Sequence, residues 1–119
     1  MREKKITSPL SIEEIKLIDA TGLPIVDRHH LRLLAHCLAS FKAMANDASS
    51  GPLPKEKDRL EWLMSQPAFT NEKDFVIVLL EQLALAGNQL ERLAATLNIS
   101  PLELTLEKLI SSCLLEKSP

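Results

Sequence analysis

The chain contains no tyrosine, one tryptophan (Trp62) and three phenylalanines in 119 residues. Single-stranded nucleic-acid platforms need stacked rings, and cation cages need several aromatics around one site, so both are poorly supplied here. Glycine is equally sparse: the three are isolated at 22, 51 and 87, which excludes a Gly-rich phosphate loop. There is no Gly-x-Ser-x-Gly elbow. The longest uninterrupted apolar run is Phe75 to Leu80, far too short to span a bilayer. The first residues are charged and are followed by Ser8, Pro9, Glu13 and Glu14 where a secretory signal needs apolar residues, so a soluble, cytoplasmic protein is expected. Only two cysteines occur, Cys37 and Cys113, and both fall within helical apolar patterns; two reduced, packed thiols are expected. Net charge is small, −2, which removes bulk attraction to nucleic acid or an anionic membrane.

What is abundant is leucine and alanine within a 45 % apolar composition. These are strong helix formers, whereas strands favour β-branched and aromatic residues. The length suits a single domain over 1–119, and the expected fold is an all-α, compact bundle of five to six helices. Ser11 with Glu14 forms a capping box for a first helix over 11–20, stopped by Gly22. Leu31, Leu34, Ala35, Leu38, Phe41 and Ala45 recur at helical spacing in a second, over 27–45, with Asp27 as its cap. The stretch 47–54, with Gly51, Pro52 and Pro54, is a loop. A third helix, over 54–65, presents Leu60, Leu63 and Met64, and Pro67 ends it. A fourth begins near Asn71 and stops at Gly87; being apolar nearly all round, it is expected at the centre of the bundle. Leu90, Leu93, Ala94 and Leu97 mark a fifth starting at Asn88, and Ser100-Pro101-Leu102-Glu103 opens a sixth with a capping Ser, a first-turn Pro and a reciprocating Glu.

Residues 86–100 carry one recognisable pattern. Gly87-Asn88-Gln89 stands at the entry, small Ala94 permits a close helix crossing, and Leu97-Asn98-Ile99-Ser100 forms the turn. Asn98 suits a left-handed backbone position. This stretch resembles the Fis-type helix-turn-helix of bacterial DNA-bending and enhancer-binding proteins, with the likeness extending over about 75–115. The resemblance implies that the start of the last helix enters the major groove. The residues there are Pro101, Leu102, Glu103, Leu106 and Glu107, which offer no donor to a base edge and repel phosphate. Charge is divided unevenly: 1–59 holds ten basic and eight acidic residues (+2), and 60–119 holds four and eight (−4). The half that resembles a DNA reader is the acidic half.

Functional chemistry is thin. His29 and His36 lie seven apart with Cys37 beside the second, without the three- or four-residue spacing of paired helical ligands, so no metal is expected. Arg28 and Arg32 on the same helix are candidates for meeting an anion. No catalytic constellation and no cofactor motif is present, and no enzyme activity is expected. The favoured function is a small non-catalytic regulatory or adaptor protein acting through protein–protein contacts, as a homodimer, with Leu102, Leu104, Leu106, Glu107 and Leu115 as the contact surface. The alternative is a DNA-binding transcriptional regulator, for which Arg28, Arg32, Arg92, Ser100 and Lys108, supported by Lys42, Lys55, Lys57 and Arg59, must converge.

Overall fold

A computed structural model describes residues 11–69 and 71–117. Among these, five α-helices and two short 3₁₀ turns account for the regular structure, with no strand, as the composition requires. Helix α1 (Ile12–Asp19) opens on the expected capping box: Glu14 N–H donates to Ser11 Oγ at 3.1 Å, and Ser11 N–H donates to the Glu14 carboxylate at 2.9 Å. Past its end, the Thr21 hydroxyl donates to the Ile18 carbonyl, and Gly22 takes a positive φ of 77° that turns the chain and buries Leu23.

Helix α2 (Ile25–Met44) begins two residues earlier than its apolar spacing suggests. Pro24 sets the entry, and Asp27 lies inside the first turn, where its charge meets the helix dipole, instead of at the cap. Leu31, Ala35, Leu38 and Phe41 form the buried stripe and Cys37 joins them. Asn46 and Asp47, both with left-handed φ near 60°, then reverse the chain. The connecting loop is anchored: Leu53 is buried, and Pro54 stays outside helix α3 (Glu56–Met64), its carbonyl accepting a 2.8 Å bond from Arg59 Nε. A 3₁₀ turn follows at Pro67–Phe69.

Helix α4 (Lys73–Leu97) replaces the two helices expected on either side of Gly87. Its 25 residues span about 37 Å. Gly87 does not stop it. The glycine is buried, and a Cβ there would lie 3.4 Å from Phe41 Cζ, 3.4 Å from Arg59 Nη2 and 3.5 Å from Leu53 Cδ1. It is the point of closest approach of α2, α3 and the loop, with the Arg59 guanidinium stacked 4.8 Å from the Phe41 ring centre. Helix propensity favours a stop at glycine by only about 1 kcal/mol, and packing on both sides outweighs it.

Helix α4 ends as the sequence suggests, at Asn98 in the left-handed conformation (φ 61°). Ile99 N–H bonds to Ala94 O and Asn98 N–H to Ala95 O, the paired bonds of a Schellman ending. Beyond it, Pro101–Glu103 forms a single 3₁₀ turn and Leu104 is extended; helix α5 (Leu106–Lys117) starts only after Thr105, whose hydroxyl accepts Lys108 N–H at 3.2 Å. The expected continuous helix from Ser100 is therefore broken. The reason is burial at both Leu102 and Leu104. In one α-helix residues two apart point about 200° from each other, so both enter the core only if the chain leaves helical geometry between them.

Candidate functional site

The turn that the helix-turn-helix resemblance would present to DNA is closed from outside. Gly51 N–H donates to Ser100 Oγ at 2.8 Å, and Leu102 N–H donates to Gly51 O at 3.1 Å, so the 47–54 loop is fastened to this turn from both directions. Ser100 also directs its N–H and its hydroxyl to the Glu103 carboxylate, at 2.9 and 2.8 Å. The Ser100 backbone bond, then its hydroxyl, and more weakly the charge of Lys108 hold the Glu103 carboxyl below the usual range. Ser100 thus serves the packing of the turn.

The proposed leucine surface divides. Leu102 and Leu104 are core residues, Leu104 at 0 % exposure, and are withdrawn as contact residues. Leu106 is half-buried against the core, while Glu107 and Leu115 are exposed, Leu115 at 74 %. The Leu104 carbonyl, left free by the break before α5, accepts a 2.6 Å bond from Lys42 Nζ. Burying both leucines thus creates an orphan acceptor that a lysine 62 residues away satisfies.

Part of the basic set is likewise drawn into structure, while Lys55 and Lys57 stay exposed. Lys42 is held by Leu104 O, and Arg59 by Phe41 and Pro54 O. Arg28 approaches Asp19 at 3.8 Å, half on the surface, and its Nε is buried with no hydrogen-bond partner among the described residues; Arg32 is half-buried. Arg92 and Lys108 are exposed. On α2, burial lowers the pKa of His36 and pushes the Cys37 thiol up to about 11, so His36 stays neutral and Cys37 stays an unreactive thiol near pH 7. Cys37 and Cys113 are not joined in a disulfide. No three His, Cys, Asp or Glu side chains among the described residues are grouped to hold a metal ion. No helix among them is long and apolar enough to cross a membrane.

Among the outward-facing residues a notable share is apolar. Helix α4 buries Val76, Leu83, Ala86, Leu90 and Ala94 on one side, but leaves Ile77, Val78 and Leu85 at 55, 48 and 67 % exposure on the other. Helix α4 stands at the centre of the bundle as expected, packing on α2, α3 and both 3₁₀ turns, but it is not buried all round: the side carrying Ile77, Val78 and Leu85 is open to solvent. Val78 and Leu85 are seven residues apart, so they stack two turns along one side, with Glu81 between. Next to them Phe75, half exposed, meets Phe69 edge-on at 5.5 Å between ring centres. A further exposed group, Ile12, Leu17, Ile25 and Val26, lies on α1 and the start of α2. Sequence reading missed the α4 face because an all-round apolar helix reads as buried; the polar Glu81, Gln82, Asn88 and Gln89 along the same helix were the available sign that one side met solvent.

Fold and surface together define a small all-helical domain, with Lys42, Arg59 and Ser100 holding its joints and some of its apolar side chains turned outward. The family described as "NDH complex assembly factor CRR9" matches residues 10–117, and the chain belongs to that family. This overturns the Fis-type helix-turn-helix assignment: the match runs through the whole helical domain, including the segment that carried the resemblance, and the closed turn at Ser100–Leu104 is the physical counterpart of that correction. No curated protein and no solved structure matches the chain.

Proposed function

We propose that this protein is a non-catalytic assembly factor for the NDH complex, acting by binding components of that complex. The observation that carries the reading is the family match over 10–117. The surface of α4 supports it. Covering Ile77, Val78 and Leu85 with a partner removes from water apolar area that the chain itself leaves exposed, worth about 1 kcal/mol for each side chain. Such a face on a rigid 25-residue helix offers a pre-organised contact, so little ordering entropy opposes binding. Neither self-association nor duplex binding draws support from the family match.

The test is affinity purification of the tagged full chain, with the recovered proteins identified by mass spectrometry. Recovery of NDH complex subunits, lost in the Val78→Asp/Leu85→Asp variant, is the expected result. Recovery of no NDH subunit by the wild-type chain contradicts it. Both substitutions lie on exposed positions, so the variant retains its helical circular dichroism.

A further inference from the structure

Between the end of α2, residues 52–54 and the outer side of α3 lies an open-sided groove of about 530 Å³. Its floor is apolar: Met44, Leu53 and the chain's one tryptophan, Trp62, with Pro52 and Pro54 beside them. Its rim is charged. Lys55, the N-cap residue of α3, and Asp58 and Glu61 within it follow one another at three-residue intervals and all line the groove. Asp58 and Glu61 take part in no ion pair among the described residues, so two carboxylates face the groove against one ammonium. The opposite wall is the C-terminal end of α2 at Met44 and Ala45, where the helix dipole adds a partial negative charge. The groove is also held open in advance. Arg59 Nε fixes Pro54 O, and the loop is fastened to the Ser100 turn by the Gly51 bonds.

An apolar floor under an acidic rim selects a particular chemistry. We propose that this groove is a docking site for a short segment of a partner protein that presents a large apolar side chain next to lysine or arginine. The apolar side chain lies against Trp62, and the basic one is drawn to Asp58 and Glu61. The volume suits one or two side chains, and the open side admits a chain that continues past it. The inference rests on the reading that the protein works through protein contacts and names the kind of sequence one partner offers. It concerns a different face from the exposed stripe of α4.

The test uses a randomised peptide library displayed against the immobilised full chain, followed by titration of selected peptides through Trp62 fluorescence. The expected result is a consensus of one large apolar residue beside Lys or Arg, with saturable change in Trp62 emission. Asp58→Asn/Glu61→Gln should weaken these peptides about fivefold, the scale of two exposed ion pairs, and raising salt from 0.15 to 0.5 M should act in the same direction. Lys55→Gln should tighten them. All three positions are exposed, so folding is not at stake. Failure to select any peptide, a consensus without a basic residue, or affinities indifferent to Asp58→Asn/Glu61→Gln would overturn the proposal. Because the peptides are selected without reference to NDH subunits, groove binding without recovery of NDH subunits removes the assembly reading and leaves the groove; the reverse removes the groove alone.

Discussion

Gly87 shows how a single residue is judged by what surrounds it. The sequence alone makes it a helix stop; the structure buries it where an added Cβ would lie 3.4 Å from Phe41 Cζ and Arg59 Nη2, so a methyl just fits and anything longer does not. Gly87→Ala is therefore expected to leave the denaturation midpoint unchanged or raise it slightly, since the gain in helix propensity is about 0.5–1 kcal/mol. Gly87→Leu should lower stability by about 1–3 kcal/mol through overpacking, measured by urea unfolding. Leu104 and Leu115 make a second contrast. Both are expected on the contact surface of the last helix, yet one is fully buried and the other largely exposed. Leu104→Ala should cost about 2–5 kcal/mol, whereas Leu115→Ala should stay within about 0.5 kcal/mol. Glu103 gives a pH signature. Its carboxyl is held below the usual value in the folded chain, so its contribution is present above the unfolded carboxyl pKa and is lost as pH falls through the folded one. Thermal melts from pH 6 to pH 3 should decline less steeply for Glu103→Gln than for the wild type.

At the scale of elements, local signals in the sequence were most legible where backbone chemistry decides: the Ser11–Glu14 box, the turn at Gly22, the buried stripe of α2 and the left-handed end of α4 at Asn98 all stand as the residues imply. Asn98→Gly should raise stability by up to about 1 kcal/mol, because glycine adopts φ 61° without the Cβ penalty, and Asn98→Val should lower it. The elements that were misread are those decided by tertiary contact. Helix α4 runs through Gly87 because three neighbours pack there, and the last helix begins late because Leu102 and Leu104 both enter the core. Neither fact is encoded in the residues within a helical turn of the position; each depends on a partner such as Phe41 or Lys42, at least 45 residues away. The capping box at Ser100 was read correctly as a box and wrongly as the start of a long helix, for the same reason. Spacing alone could not say which side of α4 lacks a neighbour, and so the candidate surface moved from the last helix to that side.

Considered as a whole, the molecule uses a few of its polar side chains to close internal joints. Lys42, Arg59 and Ser100 close internal joints, Cys37 is shielded with its thiol near 11, and the exposed remainder includes a run of apolar residues along α4 and an acidic-rimmed groove beside Trp62. An exposed apolar stripe of this kind is surface that a protein partner can cover, in keeping with a family of NDH complex assembly factors. Iodoacetamide should accordingly leave Cys37 unmodified in the native protein at pH 8 and modify it on unfolding in urea, as read by peptide mass mapping. The central claim is that contact through the outward face of α4 serves assembly. It is tested most directly by replacing the endogenous protein with the Val78→Asp/Leu85→Asp variant and measuring fully assembled NDH complex on native gels. Loss of assembled complex, with the variant accumulating as a folded protein, is the predicted result; wild-type levels of complex would contradict the account.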